Sequence, residues 1–114
     1  MDMNGPCAIL KAYVGESDKL GHLPLYKAIV KRAREDGMAG ASVFKSVMAY
    51  GASSQLRTKE LLDLSADLSL VVEIVDSAVK VETFKQTLIK MYTRGGCGGL
   101  VTVQALEALQ FKPD

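Results

Sequence analysis

The sequence predicts an α+β fold with four strands and two helices in the order βαββαβ. Short apolar runs indicate the strands, and two longer runs with apolar residues three or four positions apart indicate the helices. The chain has 114 residues, which suits one domain with one hydrophobic core. We therefore expect residues 1–114 to form a single domain.

The first strand and the first helix are joined by a polar connector. Residues 7–15 are apolar and end at a glycine, which is typical of a strand with both faces partly covered. The connector, residues 16–24, is rich in turn-forming residues. From Leu25 onwards apolar residues recur every four positions, which predicts a helix. Pro24 suits the first turn of this helix and Gly37 suits its end.

The middle of the chain contains two further strands. Residues 41–50 predict a second strand, which the polar segment 51–59 interrupts. Residues 60–65 are compatible with a helical turn but are too few to decide. Residues 69–75 predict the third strand, with alternating side chains on its two faces.

The second helix and the last strand complete the order. Asp76 and Ser77 are good N-terminal caps for a helix. Its predicted buried stripe consists of Val81, Phe84, Leu88 and Met91. The glycine-rich segment 95–99 ends the helix, and residues 100–103 start the final strand.

This order predicts a ferredoxin-like fold, in which a four-stranded antiparallel sheet carries both helices on one face. The other face would then be bare. On the third strand that face carries Val71, Glu73 and Val75. Since a bare apolar sheet face usually marks an interface, we expect a homo-oligomer.

Composition narrows the class of protein. An apolar fraction of 48% and a charged fraction of 24% are those of an ordinary globular domain. The net charge of +1 argues against a nucleic-acid partner, because phosphate binding needs a basic surplus. The sequence has neither a signal peptide nor a membrane-spanning run, so we expect a cytoplasmic protein.

Few residues suggest catalytic or metal chemistry. Cys7 and Cys97 have no metal-type spacing and are interpreted as reduced thiols, although an accessible Cys97 could act as a redox sensor. His22 is interpreted as an exposed loop residue. The acidic pair Glu16 and Asp18 is interpreted as solvated or capping. We expect neither a catalytic residue nor a metal site.

Other proteins with this order of elements fit less well. An acylphosphatase needs an arginine in a phosphate-binding loop after the first strand, where this chain has Glu16. An RNA-recognition domain needs aromatic residues on its third strand, which this chain lacks.

The glycine cluster is the most informative local feature. Consecutive glycines can turn several N–H groups toward a phosphate. A strand follows the cluster, whereas in dinucleotide-binding loops a helix follows. A simple helix-to-strand turn therefore remains the alternative.

Several segments together resemble the PII-like family of uncharacterised proteins known as domain of unknown function 190. The resemblance runs from about residue 8 to residue 104. The segments that carry it are Tyr13-Val14-Gly15-Glu16-Ser17-Asp18-Lys19, residues 24–30 and 33–41, Tyr50-Gly51-Ala52-Ser53-Ser54 and residues 72–76. The resemblance implies a fold similar to that of the PII nitrogen-signalling proteins, and a homotrimer with ligand-binding clefts between subunits.

The resemblance also implies ligand-binding residues, in three segments. They are Ala49, Tyr50 and Gly51 at the start of a signalling loop, Glu73, Ile74 and Val75 at the end of the third strand, and Gly96, Cys97, Gly98 and Gly99 in a phosphate loop. Ser53, Ser54, Arg57 and Lys59 would contact a partner protein through loop 51–59, which we expect to be mobile without ligand.

The resemblance implies a regulator that binds an adenine nucleotide and acts on a partner protein, for which a membrane transporter is one candidate. Gly99 stands where PII proteins have a phosphate-binding lysine, so AMP or ADP fits better than ATP. Lysine introduced at Gly99 is expected to strengthen binding of longer phosphate chains. The alternatives are a trimeric structural or assembly module with an empty cleft and, with less support, an enzyme.

Overall fold

The structure, a computed structural model, describes residues 5–50, 57–58 and 69–113. Its elements are, in order, β1 Cys7–Gly15, β2 Lys19–Leu20, β3 Leu23–Pro24, α1 Leu25–Glu35, β4 Ser42–Lys45, β5 Met48–Ala49, β6 Arg57–Thr58, β7 Ser69–Ser77, α2 Ala78–Gly95 and β8 Leu100–Leu106. The sequence of residues 60–65 is compatible with a helical turn, but these residues lie outside the described part of the chain.

A four-stranded antiparallel sheet forms the centre of the fold, in the order β4-β7-β1-β8. β1 and β7 are the inner strands, and their pairing runs from Cys7 opposite Ser77 to Gly15 opposite Ser69. β7 buries every second side chain, and β1 follows the same alternation after Cys7. The side chains that β1 and β7 bury on one face of the sheet form a single core with the buried side chains of both helices. The predicted ferredoxin-like arrangement is therefore confirmed.

The core is packed between the sheet and the two helices. The buried residues of α2 are the predicted stripe Val81, Phe84, Leu88 and Met91. Among the described residues Phe84 is the largest fully buried side chain, and it is 1% exposed. Burying such a side chain stabilises the fold by about 1.5–3 kcal/mol.

The helix ends differ slightly from the sequence prediction. Pro24 is the residue before α1 rather than part of its first turn, and Gly37 follows the C-cap Asp36 with a φ of +72°. Ser77 caps α2, since its Oγ accepts a hydrogen bond from the Lys80 N–H at 3.3 Å. Asp76 is not a cap but belongs to β7.

Asp76 is instead a buried connection between the two halves of the fold. Its Oδ2 accepts a hydrogen bond from the Ala39 N–H at 2.8 Å and lies 3.5 Å from the Lys80 Nζ. Lys80 Nζ also donates to the Gly37 carbonyl at 2.6 Å. The chain between α1 and β4 is thus tied to the start of α2.

The strands differ from the prediction at three places. The predicted strand 41–50 is split into β4, which pairs with β7, and β5, which pairs with β6. Between them, the Ser46 N–H and Oγ both donate to the Ser69 carbonyl. The connector 16–24 contains a small hairpin, β2–β3. The last strand extends to Leu106, which pairs with Cys7.

Neither α1 nor α2, the helices of the described residues, has both the length and the apolar character that crossing a bilayer requires.

Candidate functional site

The glycine-rich segment lies between the end of α2 and the start of β8. Gly95 is the last residue of α2, and Gly96 caps the helix in the left-handed conformation with a φ of +64°. The Gly96 N–H donates to the Thr93 carbonyl at 3.2 Å, and the Cys97 N–H donates to the Tyr92 carbonyl at 3.1 Å. Two of the expected phosphate-binding amides are therefore used by the helix cap. Gly98 and Gly99, both exposed, supply the amides that the cap does not use.

Although Gly99 is exposed, neighbouring atoms block the position of a β-carbon on it. A β-carbon at this position would lie 2.5 Å from the Tyr13 carbonyl oxygen and would also collide with the Tyr92 ring at Cε2. Real β-carbons do not approach other atoms so closely, so only glycine fits without a shift of the backbone. The aromatic ring occupies the space that a lysine side chain at Gly99 would need, which argues against the expectation that lysine there strengthens nucleotide binding.

Tyr92 connects α2 to the end of β1. Its hydroxyl donates a hydrogen bond to the Tyr13 carbonyl at 2.8 Å. Burial raises the pKa of Tyr92 well above its ordinary value, and the nearby Asp18 and Cys97 raise it further. The phenol therefore stays protonated and keeps this hydrogen bond. Tyr92 was not predicted from the sequence, although an aromatic residue just before a glycine run is a signal that could have suggested it.

Cys97 is half-buried against the β2–β3 hairpin. Its Sγ lies 3.7 Å from the Lys19 carbonyl oxygen and 3.5 Å from the Gly95 carbonyl oxygen. Burial raises the pKa of the Cys97 thiol, and the negative charge of Asp18 raises it further. These surroundings disfavour the thiolate on which a redox sensor depends.

We expect Cys97 to react with iodoacetamide more slowly than glutathione does at pH 7.4, because less of the thiol is ionised and part of it is covered. Mass spectrometry of timed samples measures the rate, and the unfolded protein in guanidinium provides the unperturbed reference. Replacing Asp18 by asparagine should lower the pKa of Cys97 and speed the reaction. Labelling of native Cys97 as fast as glutathione would show an activated thiol and contradict this prediction.

The predicted third-strand residues lie on different faces of β7. Ile74 is 1% exposed and packs in the core, so only its backbone can meet a ligand. Glu73 and Val75 lie on the face that the helices leave uncovered. Glu73 Oε2 is 4.0 Å from Lys11 Nζ on the neighbouring strand.

The uncovered sheet face, which we call the open face, carries apolar side chains on both sides of a polar row formed by Ser42, Glu73, Lys11 and Thr102. Cross-strand pairing places on it the apolar residues Ile9, Tyr13, Phe44, Val71, Val75 and Leu100. Phe44 and Leu100 are 52% and 57% exposed. These positions confirm that Val71, Glu73 and Val75 point away from the helices.

The described part of one chain does not bring the predicted ligand-binding segments together. Gly99 lies beside Tyr13, whereas Val75 pairs with Ile9, farther along β1. Ala49 pairs with Arg57 in the β5–β6 ladder, and Tyr50 is 72% exposed.

The remaining predicted residues fall outside the described structure. They are Gly51, Ser53, Ser54 and Lys59, and for Arg57 only the backbone is described. The prediction of a mobile loop 51–59 also concerns these residues and stays a prediction.

The other polar residues considered as site candidates are either exposed or bonded to neighbouring residues of the domain. His22 is exposed in the β2–β3 turn, as predicted. Asp18 Oδ2 accepts a hydrogen bond from the Gly15 N–H at 2.8 Å, and Glu16 Oε2 pairs with Lys45 Nζ at 3.2 Å. Within residues 5–50, 57–58 and 69–113 no group of three potential ligands is placed to hold a metal ion.

Sequence comparison identifies relatives of the whole domain. Residues 7–108 match the family described as Uncharacterized ACR, DUF190. A UPF0166 protein from Aquifex aeolicus is 31% identical over 101 residues, which cover 89% of this chain and 91% of the relative. A UPF0166 protein from Methanocaldococcus jannaschii is 32% identical over 95 residues, which cover 83% and 84%.

Solved structures share the fold at low sequence identity. CPII, a nitrogen regulatory PII-like protein from Thiomonas intermedia bound to ADP, AMP and bicarbonate, has a TM-score of 0.67 and 12% identity, covering 90% of this chain and 87% of its own. The Bacillus subtilis GlnK–ATP complex has a TM-score of 0.59 and 14% identity, covering 91% and 84%. A phage SAM lyase has a TM-score of 0.50 and 15% identity, covering 98% of each chain.

Proposed function

Since the chain belongs to the DUF190 family, with a fold like that of PII regulators, we propose that it is a regulatory protein that binds an adenine nucleotide between subunits of a homotrimer. The observation that carries the proposal is the separation of the predicted ligand-binding segments within one chain. Gly99 and Val75 lie at different positions along β1, so a shared cleft requires a second copy. CPII and GlnK, which have this fold, bind adenine nucleotides.

The open face supports association between copies. It presents apolar side chains from all four strands of the sheet, beside the polar row that contains the Lys11–Glu73 ion pair. Such a surface is unusual for a monomer of this size and is usually covered by another molecule. Three copies that cover it would also bring the glycine segment of one copy near β7 or loop 51–59 of another.

The glycine segment favours a short phosphate chain. Two of its amides complete the helix cap, and Tyr92 excludes a cationic side chain at Gly99. The remaining main-chain donors would suit one or two phosphate groups, whereas the more highly charged triphosphate profits more from a lysine or arginine. AMP and ADP are therefore proposed as better ligands than ATP.

The proposed output is a contact with a partner protein through loop 51–59. Ser53, Ser54, Arg57 and Lys59 supply hydrogen-bond donors and two cations for this contact. A membrane transporter is one candidate partner, and the proposal places the regulator itself in the cytoplasm.

Titration calorimetry with AMP, ADP, ATP and cyclic AMP tests the nucleotide site. We expect saturable binding of AMP or ADP in the micromolar range, and a weaker response to ATP. Gly98→Val should abolish this binding while the oligomer persists, because Gly98 is exposed and lies outside the core. Unchanged affinity of Gly98→Val for the best nucleotide would place the phosphate elsewhere.

A structural or assembly module with an empty cleft is the second candidate. The use of the Gly96 and Cys97 amides in the helix cap favours it, because a preformed phosphate loop would leave these donors free. An intact trimer that is silent toward the whole nucleotide panel would support this candidate.

Catalysis has less support than binding. The fold occurs in a lyase as well as in regulators, so fold alone does not decide between them. The proposal assigns no catalytic residue, and chromatography of nucleotides incubated with the protein should return them unchanged.

A further inference from the structure

A groove runs between the outer side of α1 and the edge strand β4. It consists of two adjoining cavities of about 290 and 360 Å³, which share Val30 and Arg34 as lining residues. We call it the α1–β4 groove. It lies on the helix side of the sheet, so covering the open face by other copies would leave it accessible.

The floor of the α1–β4 groove is apolar because the helix layer stops short of β4. Val43 pairs across the strands with Val72, and paired residues point to the same face. Val72 is fully buried, whereas Val43 is 40% exposed. The fold therefore leaves an apolar strip beside β4 uncovered.

One side of the groove carries three cations of α1. Lys27, Lys31 and Arg34 line it, and their spacing along the helix covers about 10 Å. None of the three forms an ion pair with the part of the chain that the structure describes, whereas Arg32 pairs with Asp36 at 3.0 Å. The groove is thus positively charged although the whole chain is nearly neutral.

The other side of the groove is the outer edge of β4. β4 is the first strand in the sheet order, and its outer edge pairs with no other described strand. An exposed edge offers backbone N–H and C=O groups to an added strand. Every second side chain of such a strand would point to the helix side, about 7 Å apart, over Val43 and toward the cations.

We propose that the α1–β4 groove binds an extended acidic segment of a partner protein, which adds to β4 as a further strand. Two acidic residues four positions apart would pair with Lys27, Lys31 or Arg34, and an apolar residue midway between them, on the same face of the strand, would cover Val30 and Val43. Cations beside a strand edge and an apolar floor favour a peptide, since a phosphate-bearing ligand has no backbone to pair with the edge. This contact is separate from loop 51–59 and from the proposed nucleotide site.

Fluorescence anisotropy tests the proposal, with the full chain and in the absence of nucleotide. The probe is a labelled peptide, Thr-Glu-Thr-Val-Thr-Glu-Thr, and its partner peptide has glutamine in place of both glutamates. We expect saturable binding of the acidic peptide, and at least about tenfold weaker binding of the glutamine peptide, because charge-assisted hydrogen bonds are lost.

Three variants locate the binding. Arg34→Glu should weaken binding of the acidic peptide about tenfold or more, whereas the matched control Lys90→Glu, on the exposed side of α2, should change it less than about twofold. Gly40→Phe should block binding without a change of charge, because Gly40 lines the groove and has open space where a side chain would start. Circular dichroism confirms that each variant is folded.

Several results would overturn the proposal. One is the absence of saturable binding up to about 1 mM peptide, the weakest affinity that counts as specific here. Two others are an equal loss of peptide affinity in Arg34→Glu and in Lys90→Glu, and an unchanged peptide affinity in Gly40→Phe. Displacement of the peptide by ADP, or self-association of the chain that Arg34→Glu abolishes, would assign the groove to a nucleotide or to a second copy. The results obtained with the peptide in the absence of nucleotide do not depend on whether the glycine segment binds a nucleotide.

Discussion

Gly99→Ala is expected to lower the free energy of unfolding by about 2–3 kcal/mol, a large effect for a single methyl group. The added β-carbon would meet the Tyr13 carbonyl oxygen and the Tyr92 ring, neither of which is the flexible end of a long side chain. Relief of the collision would separate β8 from the end of β1 and strain the hydrogen bond from Tyr92 to Tyr13. Loss of that hydrogen bond accounts for about 1 kcal/mol of the total.

Gly40→Ala is the matched control for Gly99→Ala. Gly40 has no atom within 4 Å of its β-carbon position, so alanine there should leave stability unchanged or raise it slightly. Chemical denaturation followed by circular dichroism measures both variants at one protein concentration. Equal stability of the two variants would show that the backbone around Gly99 adjusts without cost. Gly99→Lys should be at least as destabilised as Gly99→Ala, and should not gain affinity for ATP.

Val75→Asp is expected to convert the proposed trimer into monomers. Val75 lies on the open face opposite Ile9 and two residues from Glu73, so the new carboxylate would be placed among apolar groups and near a like charge. An unpaired charge buried in an interface costs about 3–5 kcal/mol, and a trimer would contain three of them. Size exclusion with light scattering should give about three times 12.3 kDa for the parent and about 12.3 kDa for the variant.

Val79→Asp is the matched control, because it replaces valine by aspartate outside the open face. Val79 is 77% exposed on α2, so this variant should remain a trimer with unchanged nucleotide binding. If the cleft is formed between copies, Val75→Asp should lose the nucleotide signal together with the trimer. A monomeric parent at micromolar concentration, or a trimeric Val75→Asp variant, would remove the basis for a cleft between subunits.

Local patterns in the sequence were sufficient to predict much of the fold. The buried stripe of α2 has the spacing of a helix, and the alternation in β7 has the spacing of a strand, so each could be predicted from neighbouring residues. The split of the strand 41–50 into β4 and β5 could not, because β4 pairs with β7 and β5 pairs with β6, and the segment itself carries no information about its pairing partners.

The candidate site was predictable in part. The resemblance pointed to the glycine segment, and in the structure this segment lies beside the end of β1. The space around Gly99 depends on Tyr92 and Tyr13, which are 79 residues apart in sequence, and no local pattern reports such a contact. The α1–β4 groove was also missed, although Lys27, Lys31 and Arg34 have the spacing of one helix side. These cations line a groove together with Val43 of β4, and a pattern confined to the helix does not include Val43.

The central position of β1 has a consequence for how the protein is made in the cell. Both strands that flank β1, namely β7 and β8, come later in the chain, and Cys7 pairs with Leu106. Until β7 has been synthesised, β1 therefore has neither of its hydrogen-bonding partners. Folding that depends on such distant contacts is slow, and its unpaired apolar strands are prone to aggregation. The nascent chain must stay unaggregated until synthesis has passed β7, and the sheet is completed only after β8 has left the ribosomal tunnel.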